Sequence, residues 1–305
     1  MLFKPDCIPC ILNMSLATLR KLQLDKKTIE GLYHDILEIP ALRGDYWNIT
    51  NEEVVELVFK KIMEKIDSTA DLFHEEKLKQ NRMILEIYPG LKQFVDAAPN
   101  PLNEAVKLAI IGNAIDFMVT HKSLDILELI KKRMEYALPV ETFKEFVEML
   151  NSARHLLYFG DNAGEIVFDK LLIETIKKRH NVEIVFVVRS VPILNDATLK
   201  EAQFVGMDKA ATVIENGIDS PFPGTFFERC SREVREWVER ADLIVSKGGG
   251  NFDTLDEERK RLDMNITFMC LSKCYPLKQH FGVELSQPIM ANFFERKDYT
   301  MENRG

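Results

Sequence analysis

The sequence predicts an α/β protein: a three-layer α/β/α domain with a mostly parallel sheet, preceded by an α-helical N-terminal subdomain. Residues 1–153 have the apolar spacing of helices almost throughout. Beyond residue 153, short β-branched or aromatic runs alternate with helical stretches, which is typical of βαβ units. With 46% hydrophobic residues among 305, the chain can bury a large core. We therefore expect the helical subdomain at 1–153 and the α/β domain at 154–305.

The N-terminal subdomain is expected to be entirely helical. One helix begins at a capping box, because Thr50 is followed three residues later by Glu53. Pro101 stands at the start of another, where the missing N–H of proline has no intrahelical partner to lose. The predicted helices are Ile8–Leu22, Lys26–Leu37, Asn51–Ile66, Leu72–Ala97, Leu102–Val119, Ser123–Ala137 and Val140–Leu150.

The second half is expected to supply five strands and the helices that connect them. The predicted strands are Leu156–Phe159, Ile184–Val188, Ala211–Glu215, Leu243–Val245 and Ile266–Leu271. The predicted helices are Glu165–Lys178, Ala197–Gly206, Phe226–Arg240 and Asp253–Arg261. This alternation places helices on both faces of the sheet.

Composition narrows the classes of partner. A net charge of -8 with mixed signs offers no basic footprint for nucleic acid or for an anionic membrane. No apolar stretch approaches the roughly 20 residues that span a bilayer, and the N-terminus lacks the apolar segment of a signal peptide. Five cysteines, an odd number, argue against a secreted disulfide scaffold. We expect a cytoplasmic protein.

Polar residues follow the predicted strands at the points where they end. Asp161 and Asn162 come after the first strand, Asp196 after the second, Lys247 after the fourth and Lys273 after the last. The carboxyl ends of parallel strands meet along one edge of a sheet, where ligands bind. Carboxylates, amides and lysines gathered there are suited to a divalent metal that holds a phosphate group.

The metal ligands are expected to be Asp161, Asn162 and Asp196. Their side-chain oxygens are the hard ligands that Mg²⁺ and Mn²⁺ prefer. The alternative is that each merely caps the helix that follows, for which Asp and Asn are usual residues. Two aspartates at neighbouring strand ends repel each other unless a cation lies between them, which favours the metal.

A glycine-rich segment, Ser246–Asn251, is expected to bind phosphate through Lys247, Gly248, Gly249 and Asn251. Glycines allow positive φ and a close approach of the backbone to an anion. The segment has neither the Walker A nor the dinucleotide spacing, so nucleotide binding is not indicated. Its alternative is a flexible connection. Lys273 is a further phosphate-neutralising candidate, and its alternative is a solvated lysine.

Asn113 and Asp116 interrupt an otherwise apolar helical stretch at a spacing that puts both on one face. Burying them without partners would cost several kcal/mol, about 2–7 for each polar group. They either form a helix-packing network or line the cleft above the sheet. Gly112, which costs about 1 kcal/mol inside a helix, indicates that another group approaches the backbone there, and favours the cleft.

Cys7 and Cys10 have the spacing of a zinc half-site or a redox pair. No second pair of cysteines or histidines completes a zinc finger, and no βαβ context surrounds the motif. We rank structural thiols or a disulfide first, an accessory metal second and catalysis last.

Together these motifs resemble those of the damage-control phosphatases, a family of metal-dependent phosphatases. The motifs are GNAID at 112–116, GDNAGE at 160–165, NDAT at 195–198, SKGGGN at 246–251 and LSKC at 271–274. The Cys7/Cys10 pair resembles that of the shorter, mainly archaeal members. The resemblance implies that Asp161, Asn162 and Asp196 ligate a divalent cation and that small phosphate monoesters are hydrolysed. It matches Lys247 to the lysine of the family's glycine-rich loop.

The expected function is that of a phosphatase dependent on Mg, Mn, Co or Ni, acting on sugar phosphates or damaged phospho-metabolites. Asp161, Asp196, Lys247 and Glu165 would be catalytic, with Glu165 or Asp116 orienting the water or accepting its proton. One alternative is a carboxyl methyltransferase using S-adenosylmethionine, bound at Gly160–Glu165. The other is a protein that binds a metal or metabolite without turnover.

Overall fold

The computed structural model of the protein describes residues 1–66, 70–118, 123–259 and 261–294, without the side chains of residues 115–118 and 123–125. The helices before the first strand are α1 (Cys7–Lys21), α2 (Lys26–Leu37), α3 (Asn51–Ile66), α4 (His74–Ala97), α5 (Pro101–Met118), α6 (Ser123–Met134) and α7 (Val140–Ser152). They confirm the helices predicted for this half, with ends shifted by a few residues.

Strands and helices alternate in the second half, as predicted. The strands are β1 (His155–Phe159), β2 (Glu183–Val188), β3 (Thr212–Glu215), β4 (Leu243–Lys247), β5 (Ile266–Leu271) and β6 (Pro288–Phe293). The helices are α8 (Glu165–Lys177), α9 (Leu199–Phe204), α10 (Arg232–Arg240), α11 (Gly249–Arg259) and α12 (Tyr275–Phe281), with 3₁₀ turns at Met207–Lys209 and Phe227–Arg229.

The strands form one sheet in the order β3-β2-β1-β4-β5-β6. Neighbouring strands from β3 to β5 run parallel, and β6 is antiparallel to β5. The fold class, a mostly parallel sheet covered by helices, is therefore confirmed. The strand order reverses between β1 and β4, and such a switch point opens a crevice at the carboxyl ends of these two strands.

Successive residues of each strand face opposite sides of the sheet, because side chains alternate along a strand. Tyr158 and Phe186 belong to a hydrophobic cluster that also includes residues of α5 and α8. Phe159 and Val187 belong to a second cluster, formed with α10 and α11. The sheet is thus buried on both faces, which is what its near-continuous apolar strands require.

The apolar residues of the N-terminal half belong to two different hydrophobic clusters. Helices α1 to α3 share a separate cluster that contains Leu19, Val54 and Phe59. Helices α4 to α7 instead contribute to the cluster on the α5/α8 face of the sheet. The domain boundary at residue 153 stays a prediction, and the burial of apolar residues divides the chain earlier, between α3 and α4.

Two elements near the end of the chain were missing from the sequence prediction. α12 is only seven residues long, too short to show a helical period. β6 begins with a proline and lies at the edge of the sheet, a position that tolerates proline because one side of the strand donates no ladder hydrogen bonds. Four of its six residues are only partly buried, so its apolar signal is weak.

All five cysteines are free thiols, so the structure contains neither a Cys7–Cys10 disulfide nor another. Burial raises the pKa of the Cys7 thiol to about 11, which keeps it protonated at neutral pH. Among the described residues, no helix is both long enough and apolar enough to cross a bilayer.

Candidate active site

The switch point between β1 and β4 brings together the residues that the sequence singled out. Asp161 and Asn162 leave the end of β1, and Lys247 is the last residue of β4. The segment after β2 folds back beside them: the N–H of Ala163 donates to the carbonyl of Asn195 and the N–H of Ala197 to that of Asp161, both at 2.8 Å. Asn162 and Asp196 therefore face each other in a short antiparallel bridge.

The three predicted metal ligands are thus adjacent and deeply buried. Asp161, Asn162 and Asp196 are 8%, 5% and 4% exposed. The Nδ2 atom of Asn162 donates to Oδ2 of Asp161 at 2.6 Å, so the amide oxygen of Asn162 is directed away from that carboxylate. An oxygen turned in this way is available to a cation.

Asn113 of α5 lies in the cleft, where the sequence placed it. Its Nδ2 atom donates to Oδ2 of Asp161 at 3.1 Å and to Oε2 of Glu165 at 2.8 Å. Its amide oxygen accepts the N–H of Leu271 at 3.4 Å. All its polar atoms therefore bind other protein groups, and Asn113 braces the site. The side chain of Asp116 lies outside the described residues.

Lys247 does not face the crevice as the sequence analysis expected. Its Nζ atom donates to Oε1 of Glu165 and Oδ1 of Asp169, both at 2.6 Å, and to the carbonyl of Ala109 at 2.8 Å. The side chain is fully buried. Because an ammonium group has three donors and all three are used, a direct bond from Lys247 to a phosphate does not fit this arrangement.

The glycine segment is a strand-to-helix turn, not a flexible connection. Gly248 has a φ of +80°, and a Cβ atom there would lie 2.0 Å from Oδ2 of Asp161. Gly249 and Asn251 belong to the first turn of α11. The first N–H groups of a helix have no intrahelical partner, and with the helix dipole they favour an anion.

Asn251 holds this turn in place. Its Nδ2 atom donates to the carbonyls of Gly160 and Lys247, at 3.0 and 2.8 Å, and so ties the end of β1 to the end of β4. Its Oδ1 atom accepts from Arg189 Nη1 at 2.9 Å and from Thr225 Oγ1 at 2.8 Å. These contacts leave Asn251 as a brace of the crevice.

Arg189 is a site residue that the sequence analysis missed. Its Nε atom donates to Oδ2 of Asp196 at 2.7 Å, and its Nη2 atom lies 3.7 Å from Oδ1 of Asp161. Nη2 is buried and has no hydrogen-bond partner among the residues that the structure describes. The sequence could have indicated Arg189, because it is a charged residue directly after the buried strand β2. A buried arginine requires carboxylate partners.

Burial raises the pKa of the Asp161 carboxyl well above its usual range, and the carboxylates of Asp196 and Glu165 raise it further. The nearby charges of Arg189 and Lys273 lower it. Burial also raises the pKa of Asp196, an effect that the charge and hydrogen bond of Arg189 oppose. Lys273 is exposed and its charge acts on Asp161 from the segment after β5, and its neutralisation of phosphate stays a prediction.

The charges of this network fit a divalent cation. Carboxylates are contributed by Asp161, Asp196, Glu165 and Asp169, and cations by Lys247 and Arg189. With every group ionised, two negative charges are left over in a buried space. Uncompensated buried charge is strongly unfavourable, and one divalent cation with oxygen ligands would balance it.

A second group of candidate ligands lies nearby. One ligand atom each of Asp71, His74 and Glu201 falls within 4.8 Å of the others. However, the Nζ atom of Lys77 lies 2.9 Å from Oδ2 of Asp71 and 3.9 Å from Oε2 of Glu201. The ammonium group leaves one negative charge on these two carboxylates, against two at the fully ionised switch-point site, so this group is less suited to a divalent metal.

Comparisons with known proteins agree with these features. The family model described as the damage-control phosphatase ARMT1-like domain matches residues 3–289. The chain is 30% identical over 291 residues to an uncharacterized protein of Methanocaldococcus jannaschii, covering 94% of each. It is 32% identical over 280 residues to a damage-control phosphatase of Pyrococcus horikoshii, covering 88% of this chain and 90% of the relative. A crystal structure of a DUF89 family protein from Pyrococcus horikoshii has a TM-score of 0.83 at 28% identity, covering 96% and 99%.

Proposed function

Because the chain belongs to the damage-control phosphatase ARMT1-like family, we propose that it is a divalent-metal-dependent phosphatase that hydrolyses small phosphate monoesters. The substrates would be sugar phosphates or damaged phospho-metabolites, and the relatives named as damage-control phosphatases support this class. The observation that carries the proposal is the buried cluster of four carboxylates around Asp161 and Asp196 at the switch point of the sheet, which faces only two cationic side chains, Arg189 and Lys247.

Asp161, Asn162 and Asp196 would hold the cation. They supply only oxygen atoms, which suits Mg²⁺ and Mn²⁺ and also admits Co²⁺ or Ni²⁺. When bound, a cation of this kind polarises a phosphoryl oxygen and lowers the pKa of a bound water.

Positive groups of the chain would bind the phosphate oxygens. The buried Nη2 atom of Arg189 lies beside Asp161 and has no hydrogen-bond partner in the described part of the chain. The N–H groups of Gly249 and of the following residues begin α11 directly after Gly248, which lies against the Asp161 carboxylate. Lys273 adds charge from the segment after β5. Donors fixed in advance at these positions would stabilise the charge that develops on the transferred phosphoryl group.

The proposed reaction is attack of water on phosphorus with cleavage of the bond to the substrate oxygen, which leaves as an alcohol after taking up a proton. Direct attack by Asp161 is disfavoured because a carboxylate that holds the cation is a poorer nucleophile, and amide groups of Asn113 and Asn162 also donate to its Oδ2 atom. Glu165 is bound through both oxygens, to Lys247 on one side and to two amides on the other. Its proposed role is therefore to orient these groups. Asp116 stays the candidate for accepting the proton of the water.

The test is phosphate release from metal-stripped protein with Mg²⁺, Mn²⁺, Co²⁺ or Ni²⁺, on a panel of sugar phosphates and p-nitrophenyl phosphate. We expect release only with metal, and its loss in Asp161→Ala. Asp35→Ala, an exposed aspartate on α2, is the matched control and should stay active. Metal binding without release of phosphate from any substrate would favour the binding protein. Calorimetric binding of S-adenosylmethionine would favour the methyltransferase.

A further inference from the structure

Behind the candidate metal site, four buried polar side chains form a hydrogen-bonded series. The hydroxyl of Tyr158 donates to Oδ1 of Asp169 at 2.7 Å. The same oxygen accepts from Nζ of Lys247 at 2.6 Å, and Lys247 also donates to Oε1 of Glu165 at 2.6 Å. None of the four is more than 1% exposed. The order is therefore Tyr158, Asp169, Lys247, Glu165, leading from the sheet toward the crevice.

This series of hydrogen-bonded side chains ends at the amide of the candidate ligand Asn162. Oε2 of Glu165 accepts from Nδ2 of Asn162 at 3.2 Å and from Nδ2 of Asn113 at 2.8 Å. An asparagine amide can point either its oxygen or its nitrogen at a given neighbour. A carboxylate only accepts, so Glu165, together with Oδ2 of Asp161, selects the orientation in which the Asn162 nitrogen faces these carboxylates and its oxygen faces away.

Glu165 needs Lys247 to hold this position. Glu165 and Asp169 lie four residues apart on α8, so their carboxylates repel each other across one helix turn. The ammonium group of Lys247 lies between them and binds both. Asp169 in turn fixes Lys247, because it is the second of the two carboxylates that bind the ammonium group and is itself held by Tyr158.

We propose that Asp169 and Tyr158 are positioning residues of the metal site, which hold Lys247 so that Glu165 presents the oxygen of Asn162 to the cation. This rests on the proposed function, in that it requires a divalent cation at Asp161, Asn162 and Asp196. Residues that orient metal ligands from behind commonly affect metal affinity or activity by about 10- to 100-fold.

A different role for Lys247 gives the opposite expectation. If Lys247 moved into the crevice to bind phosphate, removing the charge of Asp169 would release it. The KM for the substrate would then fall or stay constant, and the affinity for the metal would not change. The two roles are therefore separated by measuring metal affinity without substrate.

The experiment compares Asp169→Asn and Tyr158→Phe with the unaltered protein. Both variants keep the size of the side chain, and Tyr158→Phe removes a single hydroxyl. Thr175→Val is the matched control, because Thr175 is a buried residue of α8 whose hydroxyl bonds only to the carbonyl of Leu171 among the contacts described. Dissociation constants for Mn²⁺ are measured by calorimetry in the absence of substrate, and phosphate release is then measured over a range of Mn²⁺ concentrations.

We expect the dissociation constant for Mn²⁺ to rise by about 10- to 100-fold in Asp169→Asn, by a smaller factor in Tyr158→Phe and not at all in Thr175→Val. Raising the Mn²⁺ concentration should restore much of the phosphate release of Asp169→Asn. A general loss of structure would not be restored in this way. Should Asp169→Asn fail to fold, the same comparison is made with Tyr158→Phe.

Three outcomes would overturn the proposal in distinguishable ways. Unchanged metal affinity in folded Asp169→Asn and Tyr158→Phe, with the unaltered protein binding Mn²⁺, would refute the positioning role alone. A lower KM with unchanged metal affinity would assign Lys247 to the substrate. No binding of Mn²⁺ by the unaltered protein would refute the proposed function itself, and the positioning role with it.

Discussion

The Nζ atom of Lys247 lies 2.6 Å from Oε1 of Glu165, and neither side chain is exposed to solvent. This pair sets Lys247 behind the candidate metal site, on the α8 side of the sheet. Both residues were expected to act in catalysis, yet the contact between them gives each a partner within the protein.

Lys247→Met should destabilise the protein by about 3–5 kcal/mol, because it leaves Glu165 and Asp169 buried without their common counter-ion. The measurement is the free energy of unfolding in urea. Lys273→Met, an exposed lysine after β5, is the control and should change stability by no more than about 0.5 kcal/mol. Equal effects of the two substitutions would contradict the structural role of Lys247.

Arg189→Lys should lower kcat/KM for phosphate release by about 10- to 100-fold. Lysine keeps the charge but has no planar group that reaches Asp196, Asn251 and the space beside Asp161 together. Arg229→Lys is a matched control, because Arg229 makes two hydrogen bonds to Glu56 away from the crevice. An unchanged kcat/KM in Arg189→Lys would show that Arg189 does not take part in phosphate release.

Gly248→Ala should lower the free energy of unfolding by about 2 kcal/mol or more and abolish phosphate release. The φ of +80° disfavours any residue with a Cβ atom, and that atom would displace the Asp161 carboxylate. At Gly249 the nearest atom to an added Cβ is 3.7 Å away. The free energy of unfolding should therefore be nearly unchanged in Gly249→Ala, and a loss as large as that of Gly248→Ala would argue against this geometry.

Metal should stabilise the protein by mass action. At a Mn²⁺ concentration 100 times its dissociation constant, the free energy of unfolding should increase by about 2.7 kcal/mol. A chelator should remove this stabilisation. Asp196→Ala should remove this stabilisation, whereas His74→Ala should retain it, because Lys77 already offsets one of the two carboxylate charges beside His74. The measurement is the unfolding midpoint with and without Mn²⁺. If only His74→Ala lost the stabilisation by Mn²⁺, the metal site would be assigned to Asp71, His74 and Glu201 instead.

The stability of the metal-free protein should depend on pH through Asp169. Burial raises the pKa of Asp169 to about 6 from its usual 3.8, despite the opposing charge of Lys247. Between these pH values the folded state binds more protons than the unfolded state. The contribution of Asp169 to the free energy of unfolding therefore falls as pH rises, by about 3 kcal/mol in all.

The measurement for this group is the free energy of unfolding of the unaltered protein minus that of Asp169→Asn, at several values between pH 4 and 7. We expect this difference to decrease as pH rises to about 6 and then to level off. A difference that increases with pH would mean that the ion pair with Lys247 outweighs the burial of Asp169.

The sequence by itself determined the alternation of strands and helices and the polar residues at the strand ends. Apolar periodicity is a local property, and parallel strands bring their carboxyl ends to one edge of a sheet whatever the details of packing. Asp161, Asn162 and Asp196 therefore lie together where the sequence placed them. The weakly patterned elements β6 and α12 escaped the same reasoning because each is short and partly exposed.

Only the tertiary structure decided which of these polar groups bind one another. Lys247 lies 82 residues from Glu165 and 78 from Asp169 in sequence, so no local pattern pairs them. Its side chain follows the alternation of β4 and shares a face with Val245, under α8, instead of opening into the crevice. Whether a strand-end lysine binds a ligand or a buried carboxylate depends on what packs across that face, because an ammonium group removed from water must find partners there.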